Sequence, residues 1–177
     1  MIDDILKYSE FSCGIILLVF AIIQLTYKNR GFINFNIAGL FFCLSYVILS
    51  LWTFKSGVVF YFPWLMYTDI AMAFAIGPFV YFYLRAILGY KIKTGVWYLV
   101  NFVPALVVIT VIITNNILNN AFLGYYSSNP SVYPAYRLSP LVRAIDLISN
   151  IYMIAYFVAA IKNIRIYLKT ESGKPAG

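Results

Sequence analysis

The chain has 177 residues, of which 63% are hydrophobic and 11% charged, with a formal net charge of +7. Soluble domains carry about 25% charged residues. A chain this short cannot enclose so much apolar surface in water, because a small fold has a large surface for its volume. An ordinary soluble domain is excluded, and lipid is the expected solvent for most of the chain, in line with a mean hydropathy of +0.85.

The N-terminus, MIDDILKYSE, is acidic and lacks the basic start and small-residue cleavage site of a signal peptide, so the first apolar run reads as a retained span. A spanning helix needs about 20 apolar residues, each advancing ~1.5 Å across a ~30 Å hydrocarbon core. Five runs qualify, at about 8–27, 32–54, 63–88, 95–115 and 140–167. They are continuous rather than alternating in hydropathy, so they predict helices and not barrel strands. The expected fold is all-α: a polytopic membrane bundle over residues 1–170, followed by a short cytoplasmic tail over 171–177.

Most connections are short, such as KNRG and LGYKIKT. The fourth and fifth runs are joined by 115–139, NNILNNAFLGYYSSNPSVYPAYRLS, which is rich in Asn, Ser, Tyr and Pro. It reads either as a functional lid or as a tether anchored at the interface by its tyrosines, with a short amphipathic helix around Ile117–Leu123.

The cations orient the bundle. Lys28, Arg30, Arg85, Lys91, Lys93, Lys162, Arg165, Lys169 and Lys174 fall on one side, and Lys7, Lys55, Arg137 and Arg143 on the other. The richer side is expected in the cytoplasm, giving an outer N-terminus and an inner C-terminus in a bacterial inner membrane. Trp52, Trp64 and Tyr67 are expected in the outer aromatic belt, and Tyr83, Tyr90, Trp97 and Tyr98 in the inner one. Cations that flank apolar runs are topological signals, so direct nucleic-acid binding is not expected.

Catalytic chemistry finds little support. The chain has no His, and Cys13 and Cys43 both lie inside apolar runs without CxxC spacing. Metal ligation, haem binding and His-based catalysis are not expected, nor is any other cofactor. No Walker loop, HExxH or catalytic triad is present.

A few polar residues stand out against the apolar background. Asp69 falls about two turns inside the third predicted span, Asp146 at a similar depth in the fifth, with Arg143 one turn earlier, and Glu10 near the outer start of the first. Ionisable groups within a span are costly and mark functional sites by default. Arg143, Asp146 and Asn150 share a helical face by their i, i+3, i+7 spacing. One reading is an outward-facing pocket for a small polar ligand or cation, built from Asp69, Arg143, Asp146, Asn150 and Glu10. The other is structural: Arg143 pairs with Asp146 or Asp69 and fixes helix packing. The inner halves of the helices read as dry. Gly77-Pro78 and Pro104 lie within spans, where a missing N–H can kink a helix and make a hinge.

The stretch GPFVYFYLRAILGYKIKTGVWYLVNFVPALVVI, through Pro78, Tyr81, Tyr83, Arg85, Trp97, Phe102 and Pro104, resembles the N-terminal membrane regions of bacterial membrane-anchored AraC-type helix-turn-helix regulators. Asn101 stands where that family usually has His, and KNIRIYLKTESGKPAG follows the last run where the family has further spans and a DNA-binding domain. The resemblance implies a non-catalytic sensor or signal-input domain with a cytoplasmic signalling partner. A small transporter or transporter subunit, or a structural assembly protein acting as a homo-oligomer, is the alternative.

Overall fold

The computed structural model describes residues 2–27, 31–92, 95–118 and 140–172. Of the tether expected over 115–139, residues 115–118 belong to a helix and 119–139 with Arg137 lie outside the described residues, as do the cations Lys28, Arg30, Lys93 and Lys174. The described residues form six α-helices: α1 (Ile2–Thr26), α2 (Phe32–Ser56), α3 (Asp69–Ile87), α4 (Val96–Val100), α5 (Val103–Leu118) and α6 (Pro140–Ser172). Two single 3₁₀ turns, Val58–Tyr61 and Pro63–Leu65, join α2 to α3.

Four helices are long and apolar enough to cross a membrane: Ile5–Thr26, Phe32–Ser56, Asp69–Ile87 and Pro140–Lys169. Large apolar side chains on them face outward, among them Phe20, Ile22, Ile151 and Val158. In water such a surface would drive aggregation, whereas in lipid it costs nothing. The chain is therefore read as an all-helical, multi-pass membrane protein.

The fourth predicted span is broken rather than continuous. α4 ends at Val100, Asn101 and Phe102 form a turn, and α5 starts at Val103. Pro104 has no N–H to donate to Val100, and its ring fits the first turn of a new helix better than the middle of an old one. The Asn101 side chain completes the break by donating to the Trp97 carbonyl at 2.6 Å. Such local bonding by Asn competes with the helical ladder. What remains, Val103–Leu118, is a shorter apolar helix.

The third predicted span starts later than expected, at Asp69. Residues 63–68 are turns, and Tyr67 takes a left-handed conformation with φ 63°. Asp69 is thus the first residue of α3, not a residue two turns inside it. The Asn116 amide at the far end of α5 ties this turn down, donating to the carbonyls of Met66 at 2.7 Å and Trp64 at 3.3 Å. Asn116→Leu should cost about 1 kcal/mol, a typical net value for such bonds. Hydrogen exchange should then quicken over 63–68 while α1 and α2 stay protected.

α3 is the centre of the bundle. α1 packs on α2, α2 on α3, and α3 on both α5 and α6. α1 and α2 run antiparallel, and the Ser45 hydroxyl donates to the Gly14 carbonyl at 2.7 Å. α3 and α6 run parallel, since Phe74 stacks near Tyr152 at 5.4 Å and Tyr81 near Tyr156 at 5.7 Å. Ile70, Ile112 and Val142 close one end, where α3, α5 and α6 meet. Pro78 lies within α3, which continues through it, and is fully buried.

Candidate functional site

The parallel packing of α3 and α6 gives their interface two polar ends. At the start of α3, the Asp69 carboxylate faces the N–H groups of its own first turn and the Ser50 hydroxyl of α2, and it feels the charge of Asp146, which is exposed on α6. A helix N-terminus favours negative charge because its first N–H groups lack partners. A second carboxylate in reach opposes that gain. Asp69 Oδ1 is buried without a hydrogen-bond partner. Three donors face the carboxylate, and one of its two oxygens is left without a partner.

The other predicted members are placed differently. Glu10 pairs with Lys55 across α1 and α2, and its second oxygen is buried without a partner. Arg143 is exposed, and among the described residues no ion pair joins it to Asp69 or Asp146. Asn150 is also exposed and donates to the Asp146 carbonyl of its own helix at 2.9 Å. The face carrying Arg143, Asp146 and Asn150 is therefore not the one that α6 turns toward α3. That face carries Ser149, Tyr152, Tyr156 and Ala160, with Ser149 and Ala160 buried. In lipid, small and hydroxyl side chains let helices approach closely and bond across the seam, so they take the inner face. Charges at a helix end reach water instead.

The opposite half of the interface is polar, where the sequence reads as dry. The Tyr152 hydroxyl donates to the Asn101 carbonyl at 2.9 Å, and the Tyr156 hydroxyl donates to Asn101 Oδ1. The break between α4 and α5 is what frees the Asn101 carbonyl for this role. One turn beyond Tyr81, the Arg85 guanidinium donates to the Tyr81 hydroxyl at 3.1 Å and lies 5.5 Å from the Tyr90 ring centre.

Tyr98 belongs to the core rather than an interfacial belt. It is buried among Phe32, Phe82 and Phe102, and its hydroxyl donates to Asn36 at 3.0 Å. Tyr67 likewise packs inward, against Val59 and Met66. Trp97 is exposed. Both cysteines are free, Cys13 exposed and Cys43 buried. Among the described residues, no group of three His, Cys, Asp or Glu side chains is placed to hold a metal ion.

The signals that could have exposed this network were the spacing of Tyr152 and Tyr156 at i, i+4, and Asn101 just ahead of Phe-Val-Pro. Comparison with protein families, with curated proteins and with solved structures finds no match.

Proposed function

We propose that the chain is a non-catalytic membrane sensor, a signal-input bundle that spans a bacterial inner membrane five times with its N-terminus outside. The observation that carries this reading is the Asp69 carboxylate at the head of the central helix, with Oδ1 buried and unpartnered and the charge of Asp146 within reach. A cation, or a polar ligand rich in N–H donors, would relieve the repulsion between the two carboxylates and satisfy Asp69 Oδ1. α3 touches α2, α5 and α6, so a shift at its head reaches most of the bundle. Arg85 lies 16 residues further along α3, about 24 Å away at 1.5 Å per residue. The resemblance of 77–104 to AraC-type regulators supports an output through a cytoplasmic partner rather than through nucleic-acid binding by this chain.

The test is a screen of the purified chain against divalent metal ions and polyamines by thermal unfolding. Spin labels at Lys91 and Lys162 read the spacing of the basic ends. The expected result is a saturable stabilisation, a changed label distance, and a loss of affinity of about tenfold in Asp69→Asn, the scale of one charge-assisted hydrogen bond. Arg143→Gln should bind like the parent chain. If no cation or polyamine stabilises the parent, the sensor reading fails.

A small transporter is the second reading. It draws on the line of Ser149, Tyr152, Tyr156 and Asn163 along α6. It requires cation flux in liposomes, whereas the sensor requires none.

A further inference from the structure

The parallel packing of α3 on α6 carries a second polar pair toward the same end of the interface. Phe74 and Tyr152 meet across the interface with ring centres 5.4 Å apart. Arg85 and Asn163 each lie 11 residues further along, from 74 to 85 and from 152 to 163. Eleven residues are close to three whole turns, about 16 Å of rise. Tyr81 and Tyr156 also meet, with ring centres 5.7 Å apart, so the two parallel helices run on together toward Arg85 and Asn163.

Both residues carry a buried donor with no hydrogen-bond partner, Arg85 Nε and Asn163 Nδ2. Buried donors are costly to leave unpaired, and a guanidinium especially so. The rest of the Arg85 head is held in place. It donates to Tyr81 at 3.1 Å and lies 5.7 and 5.5 Å from the ring centres of Tyr81 and Tyr90. Among the described residues no carboxylate pairs with it.

The exposed face of α6 near this end is basic and partly apolar. Lys162, Arg165 and Lys169 line an open groove of about 520 Å³ together with Ile166 and Leu168. A ligand here must bring negative charge and several acceptor oxygens, and it must tolerate apolar contacts. A phosphate on an amphiphile meets all three demands, and Arg suits phosphate through its forked donors. We infer that Arg85 and Asn163 hold the phosphate of an anionic phospholipid from the leaflet that meets the basic end of the bundle, with Lys162 and Arg165 adding attraction to its surface. This site lies at the far end of α3 from Asp69 and does not depend on the sensor reading.

The full chain in a neutral detergent is titrated with dioctanoyl phosphatidylglycerol, dioctanoyl phosphatidylcholine and inorganic phosphate, with binding read by thermal unfolding and native mass spectrometry. Phosphatidylglycerol should bind saturably, and Arg85→Gln and Asn163→Leu should each weaken it about tenfold, the loss expected for one charge-assisted hydrogen bond. Arg143→Gln, at the other end of the bundle, should leave binding unchanged. Should Arg85→Gln fail to fold, Asn163→Leu carries the test alone. Equal binding of phosphatidylcholine overturns the inference, as does full competition by inorganic phosphate at the same concentration. Phosphatidylglycerol binding unchanged in every folded variant also overturns it.

Discussion

Gly77→Leu should destabilise the bundle by about 3 kcal/mol, the upper part of the usual range for overpacking a tight interior. A Cβ added at Gly77 would lie 3.1 Å from Tyr156 Cβ and 3.3 Å from Met153 Cα. The second of these atoms is backbone, so a side chain at 77 has to push the whole of α6 away. Pro78 beside it is fully buried and cannot swing aside. Small residues at such crossings are what let membrane helices make close contacts. Separating the helices would also pull Tyr156 from Asn101 and loosen the α4–α5 break. Gly77→Ala, with the Cβ alone, should cost a fraction of this. Thermal unfolding in detergent ranks the three chains, and a Leu variant as stable as the parent would mean that α3 and α6 do not cross so closely.

Asn36→Leu should cost about 1–2 kcal/mol, the range for a buried hydrogen bond lost from one side only. Asn36 is 0% exposed. Its amide donates to the Phe32 carbonyl at 2.7 Å, and its Oδ1 accepts from the Tyr98 hydroxyl at 3.0 Å. Leu keeps the volume but leaves the Tyr98 hydroxyl facing the rings of Phe32, Phe82 and Phe102, which offer no comparable acceptor. Tyr98→Phe removes that orphaned hydroxyl. In the Asn36→Leu background it should therefore recover part of the loss, although it destabilises the parent chain. A double-mutant cycle measures the coupling, and zero coupling would show that the two side chains do not bond.

The four long apolar helices were legible because lipid leaves a coarse signal, about 20 predominantly apolar residues. Where the sequence misled, a local bond had outweighed composition. At 95–115 the run is apolar throughout, but Pro104 and the Asn101 side chain break it into α4 and α5. At 63–68 the residues are equally apolar, and the left-handed Tyr67 with the amide of Asn116, from 50 residues away in sequence, holds them as turns. No hydropathy window registers a contact of that kind.

The predicted site residues do not converge on one face. Asp69 and Asp146 do come into electrostatic reach, as carboxylates near the same end of parallel helices can. Glu10 found its own cation in Lys55, and Arg143 and Asn150 turned outward. Charge draws attention in a sequence, while in the fold the quieter hydroxyls of Ser149, Tyr152 and Tyr156 take the inner face of α6.

By itself the sequence determined the solvent, the helical class and the clustering of cations beside apolar runs. All three follow from transfer free energies that act residue by residue. Only the tertiary structure decided which helix is central, which face of α6 meets it, and that Arg85 and Asn163 each bury a donor without a hydrogen-bond partner. Those are properties of pairs of helices. They depend on a close approach at Gly77 and on a register between segments 78 residues apart, from Phe74 to Tyr152, which no single segment encodes.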